Sequence, residues 1–304
     1  MDPARLAKFL LATTGGTPAA RIAACDRLVR AGYFEEADGP LQALAQIEGT
    51  ATEARKLLAV SRQLKRWGII GKLERYVGPN AGVEDALDFS LDGGVFIARR
   101  PAAKKLIFVF SGAAKQIWIS LHLLHQLLPQ DCHVVYIQDH DGWCYLTGVK
   151  GFGDSYERAV EGMRALLGSL GDPQVYCIGS SGGGHAALRY GIELGVCGVL
   201  AFSPSTDMGG LAQYFPDTLL DDLGHGDPEA VIDVKDRYLA HPSPPRVMIV
   251  YGADHERDAR QAKLMGDLPS VSLYPIANYD RHDVISQTIA IGVFPELIQT
   301  LLEN

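Results

Sequence analysis

Apolar residues recur every three or four positions through roughly the first 76 residues of the chain. Examples are "AARIAACDRLVRAGYFEEADGPLQALAQI" and "TEARKLLAVSRQLKRWGI", both rich in Ala and Leu. This is the period of amphipathic helices, and it predicts three or four short helices that end near Tyr76. Because the turn-rich stretch "VGPNAG" follows, we divide the chain into a helical segment, residues 1–78, and a second domain, residues 79–304.

From about Leu87 the pattern changes to short apolar strands that alternate with helices. The segments "ALDFSL" and "GVFIARR" flank "DGG", which predicts an antiparallel hairpin. Six more strands are predicted at "KKLIFVF", "HVVYIQD", "QVYCIGS", "GVLAFSP", "RVMIVYG" and "VSLYPI". Since helices connect most of them, the predicted fold class is α/β: a mostly parallel eight-stranded sheet flanked by helices, with a small all-α segment before it.

The order of these elements also predicts where a ligand binds. In sheets of this kind ligands lie at the carboxyl ends of the strands, so we expect function in the loops at that edge. Residues 205–245 form a loop-rich insertion after one of those strands. The sequence leaves open whether this insertion is a lid over the site or an interaction surface.

Small residues crowd the stretch "VYCIGSSGGGHAAL", between a predicted strand and a predicted helix. Gly179, Ser181 and Gly183 fit the pattern G-x-S-x-G, in which glycines give clearance for a tight turn that exposes the middle serine. Ser180 fails this register, because Ile178 would occupy the first small position. No lysine follows the glycines, as a P-loop requires, and the spacing does not match a dinucleotide-binding G-x-G-x-x-G. We therefore predict that Ser181 is a nucleophile.

A nucleophilic serine needs a histidine base and an acid that orients the histidine. His282, in "NYDRHDV", follows the last predicted strand and is the candidate base. Asp254, in "VYGADHERD", is the candidate acid. Both follow the serine in the chain and lie at the same predicted edge of the sheet. Glu256 and Asp258 are nearby alternatives to Asp254, although we expect them on the following helix.

Two backbone N–H groups are expected to bind the oxyanion that forms during acyl transfer. One belongs to Gly182, the residue after the nucleophile. The other is expected in the small-residue loop "FSGAAKQ", where Ala113 is the first candidate and Gly112 the second. Small residues there let the backbone approach a substrate closely.

Side chains at the same edge are candidates for the substrate pocket. We expect Trp143 and Tyr145 of "QDHDGWCY", together with Ser111, to line it. Residues 139–141 of that loop offer two carboxylates and an imidazole, but consecutive residues rarely converge on one ion. We therefore predict neither a metal site nor a cofactor.

The turn at Gly179–Gly183, the order Ser181, Asp254, His282 and the number of strands resemble the α/β-hydrolase superfamily, from about Asp85 onwards. The segments "GWCYLTGVKGFGDS", "GSSGGGHAALRYG" and "VLAFSPST" are similar to a bacterial branch found beside surface-polysaccharide and natural-product genes, often fused to helical repeats. This resemblance implies an esterase, deacylase or acyltransferase that acts on acylated sugars or similar metabolites. The oxyanion loop departs from the usual His-Gly, since it contains "FSG".

The helical segment before this domain faintly resembles tetratricopeptide-type repeats. Such repeats need stacked neighbours to be stable, so a helical cap on the larger domain is the interpretation we favour. Its helices would also offer a surface for a protein partner.

Composition narrows the class of partner and the compartment. Hydrophobic residues make up 47% of the chain, and the net charge of −8 disfavours nucleic acid or an anionic membrane surface. No stretch approaches the roughly 18 apolar residues of a membrane span, and we find no targeting segment. Five cysteines without a C-x-x-C pair favour reduced thiols and a cytoplasmic location.

Together these features predict a serine hydrolase that cleaves a carboxylic ester or thioester through an acyl-enzyme on Ser181. An acyltransferase would use the same triad, with a sugar or metabolite hydroxyl in place of water. A non-catalytic binding module on a hydrolase scaffold is the third hypothesis, because a fold alone does not establish activity. The sequence leaves open the acyl group, the acceptor and the oligomeric state.

Overall fold

The computed structural model describes residues 3–30, 33–66, 95–100, 102–112, 117, 119, 121–139, 144–207 and 234–303. These residues divide into two compact units. The first comprises Met1–Gly78, Trp118–Pro129 and Ile285–Glu296, and the second comprises Pro79–Ile117, Gln130–Val284 and Leu297–Asn304.

Four helices make up most of the first unit, as the apolar period predicted. They are α1 (Pro3–Thr14), α2 (Pro18–Arg30), α3 (Phe34–Leu44) and α4 (Ala51–Arg66). Proline opens both α1 and α2, where its missing N–H costs no helical hydrogen bond. The apolar faces of α2 and α3 are fully buried at Leu28, Leu41 and Leu44, so packing rather than intrinsic propensity holds this bundle together.

Seven strands form one sheet in the described part of the second unit. They are β1 (Val95–Ala98), β2 (Lys105–Phe110), β3 (Cys132–Ile137), β4 (Gln174–Ser180), β5 (Gly198–Phe202), β6 (Arg246–Gly252) and β7 (Val271–Ile276). Their order is β1-β3-β2-β4-β5-β6-β7, with β1 antiparallel to β3 and every other pair parallel. The predicted fold class is confirmed, whereas the remaining predicted strand, "ALDFSL", lies outside the described residues.

Helices follow most of the strands in the chain. They are α5 (Leu121–Leu127), α6 (Tyr156–Ser169), α7 (Gly182–Leu194), α8 (Val234–Ala240), α9 (Glu256–Met265), α10 (Val284–Ala290) and α11 (Phe294–Leu302). The last two helices, α10 and α11, are separate because Gly292 has a φ of 84° and Pro295 lies in the first turn of α11. Among the described residues, no single helix is long and apolar enough to span a membrane.

The central strands are buried on both faces, as expected for a parallel sheet covered by helices. Alternate residues such as Phe108, Phe110 and Cys177 join one core cluster with α6, α7 and α9. Helix α7 lies against β4 and β5 at close range, because a Cβ on Gly184 would press on Pro204 and one on Gly191 would press on Val199. The parallel register aligns the carboxyl ends of β2, β4, β5, β6 and β7 at one edge of the sheet.

The insertion predicted at residues 205–245 is described only at its two ends. Its final part contains α8, and residues 208–233 lie outside the described residues. The choice between a lid and an interaction surface stays open.

Candidate active site

A sharp turn between β4 and α7 presents Ser181. The serine has φ 57° and ψ −123°, a conformation that residues with a side chain rarely adopt. Its N–H donates to the carbonyl oxygen of Phe202, 2.9 Å away, and its own carbonyl oxygen accepts from the N–H of His185 at 3.2 Å. The end of β5 and the first turn of α7 therefore hold the strained residue in place.

The two glycines of the predicted turn are explained by this geometry. A Cβ on Gly179 would collide with the carbonyl oxygen of Gly183. A Cβ on Gly183 would collide with the carbonyl oxygens of Phe110 and Ser111 at the end of β2. Since the obstructing atoms are backbone, no side-chain movement can relieve either contact, and the turn needs glycine at both positions.

His282 is paired with a carboxylate, and that carboxylate is Asp258. His282 Nδ1 lies 2.8 Å from Asp258 Oδ2 and 3.0 Å from Asp258 Oδ1. The side chain of Asp258 is only 2% exposed, whereas that of His282 is 26% exposed. A buried carboxylate on Nδ1 favours the tautomer with the proton on Nδ1, which leaves the lone pair of Nε2 able to accept a proton.

Asp254, the acid chosen from the sequence, is exposed and sits in the turn after β6. Its backbone N–H donates to the carbonyl oxygen of Tyr279 at 3.1 Å. The carboxylate at His282 comes instead from Asp258, which was expected on the following helix and does lie in the first turn of α9. Because that first turn brings Asp258 to His282, the carboxylate that contacts His282 among the described residues is that of Asp258 and not that of Asp254.

Aromatic and charged side chains shape the loop that carries His282. Asp283 Oδ1 accepts from the Tyr279 hydroxyl and from Arg281 Nε, both at 2.8 Å, and Asp283 Oδ2 accepts from Arg281 Nη2 at 3.0 Å. The carbonyl oxygen of Tyr279 also lies where a Cβ on Gly252 would be, at the end of β6. These contacts join the loop after β7 to the turn after β6, and so fix the histidine beside its acid.

The oxyanion donors are partly described. Gly182 is the first residue of α7, so its N–H belongs to the group at a helix N-terminus that has no acceptor within the helix. Gly112 is buried just beyond the end of β2. Ala113, the first candidate for the second donor, lies outside the described residues, so both assignments stay predictions.

Ser111 and Tyr145, both expected in the substrate pocket, are each only 2% exposed. The Tyr145 hydroxyl donates to the carbonyl oxygens of Ile137, at 2.8 Å, and Ser111, at 3.0 Å, and it lies 3.2 Å from Ser111 Oγ. Burial raises the pKa of Tyr145 well above its usual value, so the hydroxyl stays a donor. These contacts hold Tyr145 against the backbone at the ends of β2 and β3, and the place of both residues in the substrate pocket stays a prediction. Trp143 lies outside the described residues.

The loop considered as a metal site has a structural role at its first residue. Asp139 Oδ2 accepts from the backbone N–H of Cys144 at 2.7 Å, and the Asp139 N–H donates to Ser111 Oγ at 3.3 Å. Cys144 and Tyr145 both have positive φ, 54° and 63°. The carboxylate therefore helps hold a tight reversal of the chain. His140 and Asp141 lie outside the described residues.

His185 is a second histidine near the serine, one turn into α7, and it is buried. Its Nδ1 lies 2.9 Å from the carbonyl oxygen of Ser205, to which it donates. Burial, and then the charge of Arg189, lowers the pKa of His185 from 6.5 to about 4. The ring is thus neutral and enclosed, as expected of a core histidine.

His255, which precedes α9, was not predicted as a site residue. Its Nδ1 lies 3.3 Å from the backbone N of Asp258 and 3.1 Å from Asp258 Oδ1, and its ring centroid is 5.8 Å from that of His282. The signal was present in "DHERD", since the residue before a helix lies over the helix's first turn.

The order of the strands and the position of the serine turn decide the fold. An antiparallel strand precedes a parallel series, a strained serine joins β4 to α7, and His282 follows β7. The chain has the α/β-hydrolase fold. No family model and no curated protein matches the sequence at a significant level.

Solved structures similar to this chain have low sequence identity to it. The capsule O-acetyltransferase of Neisseria meningitidis serogroup A is 15% identical, with 69% of this chain and 92% of that chain covered and a TM-score of 0.49. MenH from S. aureus is 14% identical, with 69% and 97% covered and a TM-score of 0.45. An esterase of Pyrococcus furiosus is 15% identical, with 66% and 84% covered and a TM-score of 0.42. The likeness is one of fold.

Proposed function

We propose that this α/β-hydrolase chain is a serine hydrolase that cleaves carboxylic esters or thioesters. The observation that carries the proposal is the buried Asp258 carboxylate on Nδ1 of the partly exposed His282, at the sheet edge where the strained turn presents Ser181. A histidine with a purely structural role has no need of both a buried carboxylate partner and exposure to solvent. A general base needs both, because its ring must be oriented and the substrate must be able to reach it.

In the proposed reaction the Ser181 hydroxyl attacks the carbonyl carbon of the substrate. Its proton passes to His282 Nε2, while the Nδ1 proton stays hydrogen-bonded to Asp258. The imidazolium is stabilised by the Asp258 carboxylate, which is desolvated and so interacts strongly. The oxyanion of the tetrahedral intermediate is bound by the Gly182 N–H and by a second N–H in the loop after β2.

Collapse of this intermediate expels the alcohol or thiol, which takes its proton from His282. The acyl group is then bound as an ester to Ser181 Oγ. A water molecule, deprotonated by the neutral His282, attacks this ester, and the second tetrahedral intermediate releases the carboxylic acid and restores the serine hydroxyl. If a sugar or metabolite hydroxyl takes the place of that water, the product is a new ester and the chain is an acyltransferase.

Labelling with a fluorophosphonate probe tests this proposal directly. We expect the wild-type chain to be labelled once, and the Ser181→Ala variant, checked for its fold by circular dichroism, to be unlabelled. Ser180→Ala is the matched control, because the neighbouring serine is buried and should not react. Absence of labelling in folded wild-type protein would support the hypothesis that the chain is a non-catalytic binding module.

Product analysis defines the reaction type and the substrate. Turnover of p-nitrophenyl esters of increasing chain length reports the acyl group that the site accepts. The same reaction with and without an added sugar alcohol distinguishes hydrolysis, which releases the free acid, from transfer, which forms a new ester.

A further inference from the structure

We propose that His255, Asp258 and His282 form a binding site for a zinc-like transition-metal cation, and that the bound cation switches off the proposed serine chemistry. The binding itself does not depend on the proposed function; only the inhibition rests on it. The three residues come from two segments, the start of α9 and the loop after β7.

The three side chains already converge. Asp258 Oδ1 lies 3.1 Å from His255 Nδ1, and Asp258 Oδ2 lies 2.8 Å from His282 Nδ1. One ligand atom from each residue can be chosen so that all three lie within 4.8 Å of one another. In a tetrahedral zinc site with bonds of about 2.0–2.1 Å, neighbouring ligand atoms are about 3.3 Å apart. The single oxygen Asp258 Oδ1 lies 3.1 Å from His255 Nδ1 and 3.0 Å from His282 Nδ1, both within about 0.3 Å of that value. The ligand atoms of the two imidazoles lie within 4.8 Å of each other, so the larger adjustment needed is a movement of one imidazole towards the other.

The donor set indicates the class of metal. Two imidazoles and one carboxylate are the ligands that zinc and its neighbours in the first transition row accept. Calcium and magnesium prefer oxygen ligands only, so they fit this set poorly. The side chains of His255 and His282 are 27% and 26% exposed, which leaves a path for the ion and room for a water as the fourth ligand.

The contact between His255 and Asp258 itself favours a cation. His255 Nδ1 faces both the N–H of Asp258 and the Oδ1 of the same residue. When Nδ1 accepts from that N–H, its lone pair lies 3.1 Å from a carboxylate oxygen, and the two electron-rich atoms repel. A proton on Nδ1 or a metal cation between the two atoms removes this repulsion.

A cation bound here would remove the base, whichever nitrogen of His282 it takes. On Nδ1 the cation displaces the imidazole proton that is hydrogen-bonded to Asp258. The remaining ring proton is then on Nε2, which can no longer accept the proton of Ser181. On Nε2 it occupies the accepting lone pair directly. In both cases the serine keeps its proton, and the carboxylate of Asp258 neutralises the metal instead of the imidazolium.

Calorimetric titration of the whole chain with zinc ions tests the site, with magnesium as the control ion. We expect one zinc equivalent to bind and magnesium not to bind. Ser181→Ala should bind zinc as the wild type does, because the serine is not a ligand. His255→Asn removes the imidazole but retains a side-chain oxygen that can cap α9, and it should weaken zinc binding at least about tenfold. Asp254→Asn, an exposed neighbour that is not a ligand, should bind zinc normally.

Fluorophosphonate labelling with increasing zinc tests the inhibition, each variant being compared with its own rate without metal. The wild type should lose labelling as the calorimetric site fills and regain it with a chelator, and His255→Asn should need at least about tenfold more zinc. No saturable zinc binding, or equal binding by His255→Asn and wild type, would overturn the site. Zinc binding that leaves labelling unchanged would overturn the inhibition. A chain that is never labelled but binds zinc through His255 would contradict the proposed function and leave the metal site standing.

Discussion

The turn that presents Ser181 and the pair formed by His282 and Asp258 lie at the same edge of the sheet, but they are built differently. The turn is one continuous stretch, and its glycines are required by collisions with backbone a few residues away or on β2. The pair joins residues 24 positions apart, from the first turn of α9 and the loop after β7. The first is a local steric solution, and the second is a contact between the start of a helix and a loop.

This difference explains why the turn at Ser181 was predicted from the sequence, whereas only His282 of the second pair was. A strained turn restricts several neighbouring residue types at once, so it leaves a contiguous pattern. A hydrogen bond between residues distant in the sequence restricts only the two residues that form it. Three acids, at positions 254, 256 and 258, were available to His282, and no local pattern distinguished them.

The largest expected effect separates the two candidate acids. Asp258→Asn should lower kcat for a p-nitrophenyl ester by about 10⁴-fold, because an amide can favour the wrong tautomer of His282 and cannot stabilise its cation. Asp254→Asn, the exposed acid four residues earlier, should stay within about threefold of wild type, a small change beside the effect expected of an orienting acid. Steady-state kinetics of both purified variants provide the measurement.

The reverse result would restore the sequence-based choice. If Asp254→Asn were the inactive variant and Asp258→Asn the active one, the acid would be Asp254 and the contact at His282 would be structural. Equal loss in both variants would contradict the assignment of a single acid.

A smaller effect is expected from the buried histidine behind the turn. The pKa of His185 is lowered from 6.5 to about 4, so between these pH values the unfolded chain binds a proton that the folded chain does not. The free energy of unfolding should therefore fall as the pH drops from 6.5 to about 4, by on the order of 3 kcal/mol from this group. His185→Asn cannot titrate but can still donate to Ser205, so its stability should depend less on pH. Urea unfolding at several pH values measures both slopes, and identical slopes would contradict the prediction.

Next in size is the steric requirement of the turn itself. Gly183→Ala places a methyl group against the carbonyl oxygens of Phe110 and Ser111, and we expect it to lower the free energy of unfolding by about 1–3 kcal/mol. Gly168→Ala, in α6 with no atom within 4 Å of the added Cβ, is the control and should stabilise by about 0.4–1 kcal/mol. Chemical denaturation compares the two. Unchanged stability in Gly183→Ala would mean that the turn has more room than its contacts show.

The smallest effect is expected from removing the hydrogen bonds of the Tyr145 hydroxyl. Tyr145→Phe removes a buried hydroxyl from the carbonyl oxygens of Ile137 and Ser111, and it should cost about 1–2 kcal/mol of stability. Because the ring is buried, KM for small esters should stay close to the wild-type value. A raised KM with unchanged stability would place Tyr145 in the substrate pocket.

Much of the fold followed from the pattern of apolar residues. The helical N-terminal segment and the mostly parallel sheet are both observed, because the apolar periods of helices and buried strands are local properties. Other features could not be derived from this period: the carboxylate at His282 is that of Asp258 rather than that of Asp254, and Ser111 and Tyr145 make hydrogen bonds with backbone groups. Those outcomes depend on which elements pack together, which a local pattern does not record.

The sequence by itself determined most of the helices and strands and Ser181 as the residue at the strained turn, since each follows from short-range sterics or from the hydrophobic period. Only the tertiary structure decided that Asp258 rather than Asp254 reaches His282, and that His255 contacts the same carboxylate. It also decided that the Tyr145 hydroxyl bonds to backbone carbonyl oxygens at the ends of β2 and β3. The physical reason is that a hydrogen bond requires its donor and acceptor to lie at the correct distance to within a few tenths of an ångström. That distance is fixed only when the start of α9 packs beside the loop after β7.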